Sequence, residues 1–101
     1  MTKEMQDVPE SRPNPARAGA ARILVIEDET ALGMLLSYNL EAEGFTVDLV
    51  ERGDEAEIRL SETIPDLVIL DWMLPGVSGL EICRRMRARE TTRTLPVIML
   101  T

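Results

Sequence analysis

The sequence predicts an α/β domain built on a doubly wound parallel sheet, and three observations carry that expectation. Short all-apolar runs recur along the chain: Ile23-Leu24-Val25-Ile26, Leu67-Val68-Ile69-Leu70 and Val97-Ile98-Met99-Leu100. Stretches with helical apolar spacing fall between them, and strands alternating with helices imply parallel βαβ units. Each all-apolar run ends in a polar residue, with Glu27 and Asp28 after the first, Asp71 after the second and Thr101 after the third. Parallel strands bring such ends to one rim of a sheet, where open α/β sheets place their ligand sites.

The elements follow in order. Residues 1–21 read as a disordered leader, because Pro9, Pro13 and Pro15 interrupt any helix and no apolar period is present. Ordered structure is expected from Arg22 to Thr101. Ile23 to Ile26 forms the first strand. A helix follows from about Thr30 to Glu43, with Leu32, Leu35, Leu36 and Leu40 on one face and Gly44 at its C-terminal end. Phe45, Val47 and Leu49 alternate with Thr46 and Asp48, the pattern of a half-exposed edge strand. This suits a sheet in which the second strand lies outside the first. Gly53-Asp54-Glu55 opens a second helix, with acids at its positive end. Pro65 lies beyond its end. After Leu67 to Leu70, Pro75-Gly76 makes a turn. Ser78 and Glu81 then form a candidate capping box for a third helix, through about Arg89. Pro96 introduces the run Val97 to Leu100. The three all-apolar runs should be buried on both faces, as central parallel strands are.

Composition narrows the functional classes. The chain has 101 residues, 45% hydrophobic and 29% charged, enough for one domain. No apolar run approaches the roughly 20 residues of a membrane span, and the N-terminus lacks an apolar signal core. A cytoplasmic location with no membrane partner is the expectation. One cysteine and no histidine rule out an internal disulfide and argue against a Cys/His zinc site. The net charge of −7 concentrates after residue 22, which disfavours direct binding to phosphate backbones. Arg84, Arg85, Arg87, Arg89 and Arg93 cluster late in the chain, and a solvated helix face is the favoured reading over a nucleic-acid patch.

The candidate chemistry sits at the strand ends. Adjacent carboxylates repel and are relieved by a cation. Oxygen-only ligands point to a hard one, and Mg²⁺ suits a site with few protein ligands and several waters. An aspartate bound to that metal can attack an incoming phosphoryl group. The bland alternative is that Glu27, Asp28 and Asp71 are helix N-caps, a role that favours Asp. It is the weaker reading for all three at strand ends.

The residues then match a family. Ile-Glu-Asp-Glu at 26–29, Leu-Asp-Trp-Met-Leu-Pro-Gly-Val-Ser-Gly at 70–79 and Val-Ile-Met-Leu-Thr at 97–101 resemble the three signature segments of response regulator receiver domains in two-component systems. The Asp-Trp-Met-Leu-Pro-Gly form is similar to that of phosphate-regulon regulators and other members with a winged-helix, DNA-binding output domain. The resemblance implies a flavodoxin-like fold with strand order 2-1-3-4-5. It implies Asp71 as phosphoacceptor; Mg²⁺ on Glu27, Asp28, Asp71 and the main-chain carbonyl of Met73; and Thr101 as the switch hydroxyl. The implied partner is a sensor histidine kinase. A receiver of this kind continues into a further helix, a fifth strand with a lysine and a last helix, which form the homodimer face, and DNA is met through the output domain. On that comparison residues 22–101 are expected to be a partial receiver domain.

Other readings weigh less. A phosphohydrolase of the haloacid-dehalogenase type also uses an aspartate after an apolar strand, but needs an acid two residues later, where this chain has Met73. The expectation is therefore a phosphoacceptor signalling domain that assists its own phosphorylation and dephosphorylation, not an enzyme. A receiver-like module that is never phosphorylated is disfavoured by the intact acid set. Cys83 reads as core, as do Met34, Met86 and Met99. Trp72 reads equally as packing or as a partner contact.

Overall fold

A computed structural model describes residues 20–100. Most of the expected leader, and Thr101, lie outside the described residues. The elements run β1 (Arg22–Ile26), α1 (Thr30–Ala42), β2 (Thr46–Val50), α2 (Gly53–Glu62), β3 (Leu67–Asp71), α3 (Gly79–Ala88) and β4 (Val97–Leu100). All strand pairs are parallel, in the order β2-β1-β3-β4. The chain therefore winds outward from β1 to β2, crosses back to β3 and continues to β4, the doubly wound arrangement expected from the sequence.

Helices cover both faces of the sheet because alternate strand residues point to opposite sides. Leu24, Ile26, Val68 and Leu70 face Ala56 and Leu60 of α2 and Ile82 and Met86 of α3. Ile23, Val25 and Ile69 face the other way, against Leu36 and Leu40 of α1. β1 and β3 are thus buried on both sides, and β2 is the half-exposed edge that its alternation indicated. The expectation of burial on both faces fails for β4, where Ile98 is 50% exposed. Among the described residues β4 has β3 as its one strand neighbour.

Local signals explain the helix limits. Gly44 takes φ +100°, its N–H donates to the Glu41 carbonyl and that of Phe45 donates to Leu40, closing α1 with a glycine-dependent turn. Ser78 caps α3, its Oγ accepting from the Glu81 N–H at 3.2 Å. The Glu81 carboxylate pairs with Arg84 and Arg85. Two apolar readings need correction. Leu35 and Met34 do not pack in the core: they are 58% and 61% exposed, on the outer side of α1 with Tyr38. The sheet needs only the stripe of α1 that carries Leu36 and Leu40, so the remaining apolar side chains of this leucine-rich helix are left outside. Met86, Met99 and Cys83 do pack against the core.

Candidate functional site

The acid cluster follows from register. β1 and β3 are adjacent, with Ile26 opposite Leu70. Glu27 and Asp71 therefore leave neighbouring strands at the same level, and adjacent strands lie only about 4.8 Å apart. Glu27, Asp28 and Asp71 each offer a carboxylate oxygen, and these atoms all lie within 4.8 Å of one another. Glu27 is buried, Asp71 is half-buried and Asp28 is exposed. The cluster thus grades from the sheet interior to solvent.

None of the three is a helix N-cap. The residue at the N-cap of α1 is Glu29, and that of α3 is Ser78. Two of the acids instead fasten the loops that follow them. Glu27 Oε2 accepts from the Glu29 N–H at 3.0 Å, and Asp71 Oδ1 accepts from the Met73 N–H at 3.3 Å. The Glu27 N–H donates to the Val50 carbonyl, so its backbone is an extension of the sheet.

Burial pushes the Glu27 carboxyl above the usual carboxylate range, and the Glu29 N–H pulls it part of the way back. The side chain of Asp71, by hydrogen bonding and by its charge, and the charge of Asp28 add to the upward push. A carboxylate held in this way gains from a nearby cation. The donor set is oxygen-only, its geometry leaves an open side, and it fits a hard divalent ion with most of its positions left to water. An open cleft of about 450 Å³ adjoins the cluster, lined by Asp28, Trp72, Met73, Leu74, Pro75 and Ser78. Trp72 is 45% exposed at this cleft rather than sunk in the core.

Of the late arginines, Arg84, Arg85, Arg87 and Arg89 lie elsewhere and are engaged. Arg85 and Arg89 pair with Glu57 of α2, and Arg84 and Arg85 with Glu81. Arg87 Nη1 donates to the carbonyls of Thr92, Arg93 and Leu95, tying down the turn before β4. That role had no signal in the sequence beyond a basic residue near a helix end. The contributions of Gly53 and Gly79, whose main chains approach the β3–α3 loop, were likewise not visible, because they depend on contacts far along the chain.

Comparison with known proteins agrees with this fold. The family described as response regulator receiver domain matches residues 23–101. The phosphate regulon transcriptional regulatory protein PhoB of Rhizobium meliloti (strain 1021) is 70% identical over 80 residues, which are 79% of this chain and 35% of that protein. PhoB of Escherichia coli (strain K12) is 44% identical over 82 residues, 81% of this chain and 36% of that protein. The chain thus spans about a third of the length of these curated relatives. Among solved structures, the signal receiver domain of a signal transduction histidine kinase from Syntrophus aciditrophicus superposes with a TM-score of 0.79 at 39% identity, covering 81% of this chain and 62% of that one. The receiver domain of sensor histidine kinase PA1611 from Pseudomonas aeruginosa PAO1 superposes with a TM-score of 0.78 at 30% identity, covering 82% of this chain and 68% of that one. That structure has a magnesium ion coordinated in its active site cleft.

Proposed function

Because the chain belongs to the response regulator receiver domain family, we propose that it is a phosphoacceptor switch that takes a phosphoryl group from a sensor histidine kinase onto Asp71. The observation that carries this reading is the convergence of Glu27, Asp28 and Asp71 within 4.8 Å at adjacent strand ends, in a cluster with no capping role.

The proposed roles divide by exposure. Asp71 is half-buried, next to the Asp28 that lines the cleft, and one of its carboxylate oxygens attacks phosphorus as the donor's bond to phosphorus breaks. The product is an acyl phosphate on Asp71. Glu27 and Asp28, with Asp71 and the main-chain carbonyl of Met73, are the residues that would hold Mg²⁺, whose positive charge would there offset the charge developing on the phosphoryl oxygens. Glu27 supplies its negative charge from a buried position, and the Glu29 N–H fixes the carboxylate in place. The Met73 N–H orients the Asp71 carboxylate. Thr101 follows directly on β4, whose Leu100 pairs with Asp71, and we assign it the hydroxyl that turns toward the phosphoryl group.

The curated relatives are transcriptional regulators, and the downstream part of the proposal rests on them. Phosphorylation would favour a homodimer and control transcription through a DNA-binding domain outside these residues. A cytoplasmic location goes with this reading. No helix of the described residues is long and apolar enough to cross a membrane.

The test is direct. The protein is incubated with a small-molecule phosphodonor and Mg²⁺, and the acid-labile adduct is mapped by mass spectrometry. An adduct on Asp71 that requires Mg²⁺ is expected. An adduct on another residue, or none, rejects the assignment.

A further inference from the structure

Two loops on the acid rim are locked together by a residue with no side chain. Gly53 opens α2 and is buried, and its N–H donates to the Pro75 carbonyl at 3.2 Å. A Cβ on Gly53 would lie 2.1 Å from the carbonyl oxygen of Val77 and 2.8 Å from its carbonyl carbon. Both are main-chain atoms, so no rotamer change relieves the overlap. Beside this contact, Arg52 and Asp54 form a bidentate pair at 3.0 and 3.2 Å. The pair lies over Gly76, where a Cβ would be 3.2 Å from Arg52 Nη2 and 3.5 Å from the Asp54 carboxyl carbon. Gly76 has φ +81°, the left-handed region that glycine alone enters without strain. The β2–α2 loop therefore grips Pro75, Gly76 and Val77.

The gripped segment leads straight to the acid cluster. Asp71 ends β3, and only Trp72, Met73 and Leu74 separate it from Pro75. Within that span the Met73 N–H donates to Asp71 Oδ1. Any shift of Pro75 to Val77 is transmitted through this short span to the Met73 main chain and to the carboxylate it orients.

We infer that Gly53 is a positioning residue for the metal site, acting through Pro75 to Val77 on the Met73 carbonyl and the Asp71 carboxylate. The inference rests on the reading of Glu27, Asp28, Asp71 and Met73 as Mg²⁺ ligands. Groups that orient first-layer ligands govern affinity without touching the ion.

The test titrates the full chain and its Gly53→Ala variant with Mg²⁺ alone, followed by the fluorescence of Trp72, the single tryptophan, which lines the cleft with Asp28. Thermal melts on the same samples report folding. The expected result is a rise of about tenfold in the Mg²⁺ dissociation constant, with a melt no less cooperative than that of the wild-type chain. Equal affinity in two folded proteins overturns the positioning role and leaves the metal site standing. A wild-type chain that takes up no Mg²⁺ rejects the site and the inference together. Should Gly53→Ala fail to fold, the double variant Arg52→Ala/Asp54→Ala replaces it, since both side chains are about half exposed. It is expected to speed amide hydrogen exchange at Met73 and Gly76 and to weaken Mg²⁺ binding by a smaller factor. Unchanged exchange and affinity in that variant would overturn the inference.

Discussion

Gly79 lies so close to the main chain of Asp71 that a Cβ on it would come within 2.1 Å of the Asp71 carbonyl oxygen. Its N–H donates to the Trp72 carbonyl at 3.1 Å. The first residue of α3 thus closes back on the last residue of β3, and the loop between them is held at its two ends. This explains why a loop of mostly apolar residues, Trp72 to Ser78, presents a fixed path at the acid rim.

Gly79→Ala should therefore cost stability. The overlap is with main-chain atoms, and relief requires moving α3 or β3. Steric insertion of this kind costs about 1–3 kcal/mol. Urea denaturation measures it, with Leu80→Ala as the neighbouring control. Leu80 is 45% exposed, and its truncation should stay within roughly 0.5–1 kcal/mol. A Gly79→Ala midpoint equal to that of wild type would show that the loop yields freely.

Asp28 separates binding from folding. It is the exposed member of the cluster, so Asp28→Ala removes a proposed ligand and a repulsive charge together without opening a core cavity. Mg²⁺ affinity is expected to fall, because the ion is bound through few carboxylates, while the metal-free protein melts no lower than wild type. Titration followed by Trp72 fluorescence reads the first, and calorimetry without metal reads the second. Unaltered affinity would remove Asp28 from the ligand set.

The Arg52–Asp54 pair sets a pH dependence. Hydrogen bonding from the Arg52 guanidinium holds the Asp54 carboxyl below its ordinary value of 3.8. A carboxylate depressed in the folded state contributes stability that is fully present above the unfolded pKa and is lost as pH falls through the folded pKa. The window therefore lies at and below 3.8, and the contribution is small because both groups face water. An NMR titration should place the Asp54 midpoint below that value, and Arg52→Ala should raise it. Identical midpoints would mean that the pair does not persist in solution.

Much of this architecture was legible because it rests on patterns local in sequence. The apolar runs of β1, β3 and β4 and the alternation of β2 announced strands, and Gly44 and Ser78 marked helix limits through backbone demands of their own. The site was legible because Glu27, Asp28 and Asp71 stand at the ends of apolar strands, and parallel register converts that position into proximity. Contacts between distant segments were not legible. Leu35 and Leu36 carry the same side chain, and only the seating of α1 on the sheet decides that Leu35 is exposed while Leu36 packs. The sequence marks Gly53 as a helix opener, yet its closest constraint comes from Val77. The role given to Thr101 comes from the resemblance of Val97 to Thr101 to a receiver signature segment, and Thr101 itself lies outside the described residues.

The last prediction concerns the β4 edge. Val97, Met99 and Leu100 are half-buried and Ile98 is half-exposed. Among the described residues, this strand pairs along one side alone. Unpaired main-chain groups beside apolar side chains form a template for another strand. Ile98 is opposite Ile69 in register, so its side chain continues the apolar face that α1 covers over β1. A core of this size supplies roughly 3–5 kcal/mol, which leaves little to resist opening or pairing at such an edge. A polypeptide of these 101 residues is therefore expected to self-associate or to melt broadly. Ile98→Lys should shift it toward monomer, because a charged edge residue opposes strand addition. Sizing chromatography and thermal melting of both proteins decide the matter. A wild-type monomer with one sharp, reversible transition, unaffected by Ile98→Lys, would show that β4 is protected without a further neighbour.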